Sequence, residues 1–136
     1  MKRNVLLTVM SLLSIVLASL HVTDDVVRGY EKWGFEKLSF VLILVVWLCG
    51  TLLLAERRSG HVIMILGGLL AAIIPAVHMR GTGAFVKSSG AFFFIWTLFA
   101  LGATGTVSVI LAVSGLWSGR RSSGAVDQGG ELKIEN

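Results

Sequence analysis

Five polar side chains stand where two apolar segments of this chain end. His21 lies in the last turn of the first apolar segment, and Asp24 and Asp25 follow that segment. His78 lies at the end of the third segment, and Arg80 follows it. Imidazole and carboxylate groups together are ligands that Zn²⁺ and similar divalent ions accept. Two histidines on facing helices can also hold a b-type haem. If both segments end on the same side of a membrane, these side chains can converge there.

Three interpretations of this polar cluster stay open. The sequence favours ordinary interfacial anchoring, because polar residues at a membrane boundary need no special purpose. The alternatives are a divalent metal or a haem at His21 and His78; no compact ligand motif such as His-Glu-x-x-His is present. We therefore predict no cofactor. His61 cannot join His78 in one site, because 17 residues of helix separate them by about 25 Å.

A line of small and polar residues leads along the first helix towards this cluster. Ser11, Ser14, Ala18, His21 and Asp25 follow one another at spacings of 3, 4, 3 and 4 residues. These spacings place all five on one helix face. Such a face suits contact with another helix or a wet cavity better than contact with lipid.

The elements that must position these residues are four long segments without a single Asp, Glu, Lys or Arg. The chain of 136 residues is 54% hydrophobic and only 15% charged, whereas soluble domains carry about 25% charged residues. About 20 apolar residues cross a bilayer as a helix. The sequence thus predicts an all-α integral membrane protein, a four-transmembrane-helix antiparallel bundle. Its predicted spans are residues 4–23, 38–55, 61–79 and 91–117.

The basic residues indicate orientation rather than a nucleic-acid partner. Three basic pairs flank apolar segments: Lys2/Arg3, Arg57/Arg58 and Arg120/Arg121. Four membrane crossings would place all three pairs on the same side of the membrane. This pattern is typical of membrane flanks, so we predict a cytoplasmic membrane with both termini in the cytoplasm. Residues 118–136 are rich in Gly and Ser and are predicted to form a disordered tail.

Residues 1–18 also fit a signal peptide that would be cleaved after Ala18. A retained first helix is the favoured interpretation, because its polar residues form one coherent face.

Small residues predict which helices approach each other closely. In lipid, small side chains let helix backbones come together, and we expect the third and fourth helices to form the tightest pair. Pro75 is expected to kink the third helix and to free a carbonyl near His78. The same residues could instead serve a homo-oligomer. The predicted packing residues are Gly67, Gly68, Ala71, Ala72, Ala76, Ala100, Thr104, Ser108 and Ala112.

No recognised catalytic motif appears, and none of the four spans contains a carboxylate or a fixed cation. Proton-coupled transporters usually need such a group within the membrane. We therefore predict a non-enzymatic accessory or assembly subunit, whose partners are the lipid bilayer and another membrane protein or a second copy. The alternatives are a small transporter or channel, and a haem- or metal-binding membrane protein that uses His21 and His78.

Overall fold

The computed structural model describes residues 2–27, 34–79 and 91–131, and these are entirely helical apart from short turns. The helices are α1 (Lys2–Val27), α2 (Phe35–Leu53), α3 (Arg58–Met79) and α4 (Ala91–Glu131). The prediction of an all-α chain is therefore confirmed for the described residues.

Three of the helices are long and apolar enough to cross a membrane, which indicates membrane association. Their apolar parts are Arg3–Val27, Arg58–His78 and Phe92–Ser118. The apolar part of α2 is Leu38–Leu53, two residues shorter than the predicted span that ran to residue 55. Sixteen residues of helix rise about 24 Å, somewhat less than the hydrocarbon thickness of a typical bilayer.

A short turn joins α2 to α3. The amide of Arg57 donates to the carbonyl of Leu54 over 2.9 Å, and the amide of His61 donates to the carbonyl of Arg57 over 3.2 Å. Gly60 lies directly against the Leu54 carbonyl, so a side chain at position 60 would collide with backbone. Four residues, 54–57, thus separate α2 from α3.

Helix α4 continues beyond the predicted end of its span. The apolar part ends at Ser118, close to the predicted residue 117, but helical backbone runs on to Glu131. The disorder predicted for residues 118–136 stays a prediction.

The most extensive helix pair is α3 against α4, and two glycines allow their backbones to meet. A Cβ atom built on Gly105 would lie 2.7 Å from the carbonyl oxygen of Gly68 and 3.0 Å from the amide nitrogen of Ala72. One turn earlier on α4, a Cβ atom on Gly102 would lie 2.8 Å from the ring of Pro75. Pro75 thus packs against a helix position that has no side chain.

The small residues of α4 divide between two neighbouring helices. Gly105 faces α3, whereas Thr104 faces α1 and accepts a hydrogen bond from Ser14 over 2.9 Å. Successive helical residues point about 100° apart, so adjacent positions serve different partners. Ser108 and Ala112 are fully buried, and Ala112 packs near Leu7 of α1. The predicted stripe on α4 therefore lies between α1 and α3 rather than on α3 alone.

The small residues of α3 divide in the same way. Gly67 lies against the indole of Trp47 on α2, whereas Gly68 faces α4. Ala71 is fully buried, but Ala76 is exposed despite its place in the predicted stripe. The stripe turns away from α4 by this point because a repeat of four residues drifts around a helix of 3.6 residues per turn.

Candidate functional site

Helix α1 supplies two side chains of a buried polar cluster near its end. His21 and Asp25 lie one turn apart and are 2% and 7% exposed. The Nε2 atom of His21 is 3.8 Å from Oδ2 of Asp25. The spacing of four residues that the sequence shows is what puts the two side chains on one face.

Helix α3 brings the third side chain, His78, to the same carboxylate. Its Nε2 atom is 4.0 Å from Oδ2 of Asp25, and its side chain is 30% exposed. Its Nδ1 atom is 3.0 Å from the carbonyl oxygen of Ile74. A carbonyl oxygen only accepts, so Nδ1 carries the hydrogen and donates it. Nε2 is then the nitrogen that can bind an ion or an additional proton.

Phe94 of α4 closes the cluster from a third helix. Its ring centroid is 4.8 Å from that of His21 and 6.0 Å from that of His78. Phe94 is 4% exposed and therefore buried between the helices. Phe92 and Trp96 on the same helix are exposed, at 75% and 60%.

The three ligand atoms are close enough to share one ion. One atom each from His21, Asp25 and His78 lies within 4.8 Å of the others. Around a tetrahedral ion with bonds of about 2.1 Å, ligand atoms stand about 3.4 Å apart. Side-chain adjustments of about 1 Å would therefore bring all three into coordination.

The Asp25 carboxylate faces both imidazoles of the cluster. In a neutral His78 the hydrogen is on Nδ1 and is donated to the Ile74 carbonyl oxygen, so Nε2 would direct its lone pair towards Asp25. Either an additional proton or a metal ion between the two groups removes that repulsion.

A haem fits the same residues poorly. Bis-histidine ligation requires the flat macrocycle to lie between the two axial rings. Here the rings of His21 and His78 are in edge contact, with centroids 4.9 Å apart and planes at 77°. Phe94 occupies the adjoining side of both rings. The geometry thus favours a small ion over a macrocycle.

The remaining predicted polar residues lie elsewhere or outside the described part of the chain. Asp24 is half-buried beside the cluster but is not one of its three converging residues. Arg80 lies outside the described residues. His61 is at the other end of α3, as its distance along the helix required, with its Nδ1 atom 3.1 Å from the carbonyl oxygen of Arg57.

The two serines of the α1 line, Ser11 and Ser14, form hydrogen bonds to two other helices. Trp47 of α2 donates from Nε1 to Ser11 Oγ over 2.9 Å, and Thr51 Oγ1 is 2.8 Å from the same oxygen. Ser14 donates to Thr104 of α4 over 2.9 Å. Sequence reasoning missed Trp47; the signal was a lone indole in the middle of an aliphatic segment, where its N–H needs a partner.

A buried apolar layer separates these hydroxyls from the histidines. His21 follows Ser14 by seven positions of α1, a rise of about 10 Å. Ile15 and Ala18 of α1 and Leu101 of α4 belong to one buried cluster in this interval. The hydroxyls therefore fasten helices together, whereas His21 and Asp25 form a separate site.

Trp47→Phe should lower the free energy of unfolding by about 1 to 2 kcal/mol, because it removes a buried hydrogen bond and part of the ring that fills the space over Gly67. Unfolding in mixed micelles by a denaturing detergent, followed by circular dichroism, measures this. Trp96→Phe is the matched control, since Trp96 is 60% exposed. Equal losses in the two variants would contradict a specific role for the Trp47 indole.

Fold and site together define an all-helical protein with three helices suited to span a membrane and a buried histidine–carboxylate cluster. Comparison with family models, curated proteins and solved structures found no match to the chain.

Proposed function

We propose that this chain is an integral membrane protein of four antiparallel transmembrane helices that binds one divalent transition-metal ion. The ligands are His21, Asp25 and His78. The observation that carries the proposal is the convergence of three ligand atoms from two helices within 4.8 Å, with both α1 residues buried. Two imidazoles and one carboxylate suit Zn²⁺, Fe²⁺, Co²⁺ or Ni²⁺ better than the oxygen-seeking Mg²⁺ and Ca²⁺.

Contacts at the two ends of the helices support the antiparallel arrangement. Arg3, near the start of α1, donates to Ser118, late in α4, over 3.0 Å. His21, late in α1, contacts Phe94, early in α4. His21 follows Arg3 by 18 helical positions, which rise about 27 Å, close to the thickness of the hydrocarbon core. Arg3 and the metal site would thus lie at opposite membrane boundaries.

Three ligands come from the described residues, and this number indicates what the ion would do. Structural zinc sites are usually closed by four protein ligands, whereas three leave a position for water or an incoming group. His78 is also 30% exposed, so that position can be reached from the membrane boundary. We infer an accessory subunit that holds an exchangeable ion and presents it to a partner, with no reaction assigned to the chain itself.

A transport path along the first-helix hydroxyls receives less support. The interval between Ser14 and His21 contains the buried apolar residues Ile15, Ala18 and Leu101. The buried hydroxyl of α4 between Phe94 and Thr104, that of Thr97, donates to the Phe94 carbonyl oxygen. An ion would therefore exchange its hydration for few ligands, which is costly in a low-dielectric interior. The cluster therefore fits a binding site that is reached from one membrane boundary better than a binding site along a continuous transport path.

The direct test is metal binding by the full chain in mild detergent or nanodiscs. Titration with Co²⁺ should show one ion per chain and the visible bands of a low-coordinate cobalt site, and Zn²⁺ should displace it. Mg²⁺ at the same concentration should not compete. Failure to bind one equivalent of Co²⁺ or Zn²⁺, in protein shown by circular dichroism to be helical, would overturn the proposal.

A further inference from the structure

A second site lies at the far end of α3 and α4 from the histidine cluster. A cavity of about 530 Å³ opens there, with apolar walls formed by Val62 of α3 and by Val113 and Leu116 of α4. Arg58 and Trp117 complete its lining. An apolar cleft that carries a guanidinium and an indole has the amphipathic character of a lipid rather than of a soluble metabolite.

Positive charge exceeds negative charge around this cavity, although Glu56 lies exposed in the same turn as Arg57. Arg58 is exposed at the first residue of α3, and the neighbouring Arg57 is exposed in the turn before it. The Arg3 guanidinium donates a hydrogen bond to Ser118, the residue after Trp117. This bond places a third cation at the same end of α4. No described Asp or Glu lines the cavity. A ligand here is therefore expected to be anionic.

The height of the cavity along the helices identifies the source of that anion. From Arg58 to His78, α3 rises about 30 Å, which is the full hydrocarbon thickness of a bilayer. With the histidines at one boundary, Arg58 lies at the headgroup level of the other, and Val62 lies about 6 Å deeper, among acyl chains. Trp117 is 66% exposed at the same end, where interfacial tryptophans are common.

We propose that this cavity, lined by Arg58, Val62, Val113, Leu116 and Trp117, binds an anionic glycerophospholipid. The phosphate pairs with the Arg58 guanidinium, and one acyl chain lies along Val62, Val113 and Leu116. Basic pockets between transmembrane helices recognise such headgroups elsewhere. The inference rests on the membrane insertion proposed above but not on the metal site.

Native mass spectrometry of the full chain in detergent tests this with added phosphatidylglycerol and phosphatidylcholine. We expect retention of phosphatidylglycerol to exceed that of phosphatidylcholine, and Arg58→Gln to lower phosphatidylglycerol affinity about fivefold or more. Arg57→Gln is the matched control, since Arg57 does not line the cavity. Equal losses in the two variants would show general surface attraction and overturn the site.

Filling the cavity gives a second, charge-independent test. Val113→Trp should reduce phosphatidylglycerol retention at least as much as Arg58→Gln, whereas Ile110→Trp should not, because Ile110 is 62% exposed and outside the cavity. Unchanged binding by Val113→Trp would overturn the proposal. So would equal competition by soluble glycerol phosphate, which would indicate a free phosphate ligand, or dimers that Val113→Trp dissociates, which would indicate a second copy in the cavity.

Two further measurements on the same samples separate the proposals. Flotation with liposomes reports membrane insertion, and Co²⁺ titration reports the metal site. Loss of lipid preference with flotation and Co²⁺ binding intact would reject the lipid site alone. Protein that does not float with liposomes would reject the membrane insertion on which both proposals depend.

Discussion

Asp25→Asn is expected to weaken Zn²⁺ binding by about 100-fold or more. Replacement of groups that merely orient a metal ligand costs roughly 10- to 100-fold in affinity, and Asp25 would be a ligand itself. Its Oδ2 atom is within 4.0 Å of both imidazole Nε2 atoms, so it supplies the negative charge that the two histidines share. The amide keeps the size of the side chain but removes this charge. Competition against a chromophoric chelator measures the affinity.

Asp24→Asn provides the matched control for this variant. It changes the same charge one residue earlier, on a side chain outside the converging group. A general electrostatic effect of the helix end would weaken Zn²⁺ binding equally in both variants, and that result would contradict the assignment of Asp25. His61→Ala should leave the Zn²⁺ affinity unchanged, because His61 lies at the opposite end of α3, where its ring is hydrogen-bonded to the carbonyl oxygen of Arg57.

The proton is the competing cation, and stability measurements separate it from a metal. If His78 and Asp25 are paired only through protons, added Zn²⁺ will not alter the unfolding transition. If they bind Zn²⁺, saturation at 100 times the dissociation constant should raise the free energy of unfolding by about 2.7 kcal/mol. The Asp25→Asn variant should lose this stabilisation, and Asp24→Asn should keep it.

Gly105→Leu is expected to lower the free energy of unfolding by about 3 kcal/mol, the upper part of the range for overpacked cores. A Cβ atom at this position would already lie 2.7 Å from the Gly68 carbonyl oxygen and 3.0 Å from the Ala72 amide nitrogen. Both are backbone atoms, which cannot move aside as the tip of a side chain can. Helices α3 and α4 would have to separate, and their close packing would be lost. Detergent-induced unfolding measures the effect.

Ala103→Leu is the control for this substitution. Ala103 is exposed on the same helix, so the larger side chain should change stability by less than about 0.5 kcal/mol. A Gly105→Leu variant as stable as Ala103→Leu would contradict the close backbone approach. The separation should also weaken Zn²⁺ binding, because α3 carries His78 and α1, which packs on α4, carries Asp25.

Much of this architecture is readable from the sequence because its signals are local. The uncharged segments predict helices, since a backbone in lipid can satisfy its polar groups only within a helix. The spacing of His21 and Asp25 predicts their shared face, and the spacing of 17 positions from His61 to His78 excludes a joint site. Each inference needs only the helical rise and the angle per residue.

Other features depend on which helices become neighbours. Trp47 lies over Gly67, Thr104 pairs with Ser14, and Phe94 is buried between α1 and α3. No periodicity within one segment predicts such pairs, because each depends on the rotation of one helix against another. The small-residue stripes were assigned to a single interface for the same reason, and they divide between two.

The helical class, the apolar segments and the polar residues that end them follow from local chemistry and the geometry of one helix, so the order of the amino acids is enough to predict them. That His78 shares the carboxylate of Asp25 while Asp24 lies beside the cluster is a result of how the helices pack. That choice depends on the packing of α1 and α3 against α4, where glycines let the backbones approach and set the position of the α3 end. Contacts between segments distant in the chain make this selection, and they exist only in the folded protein.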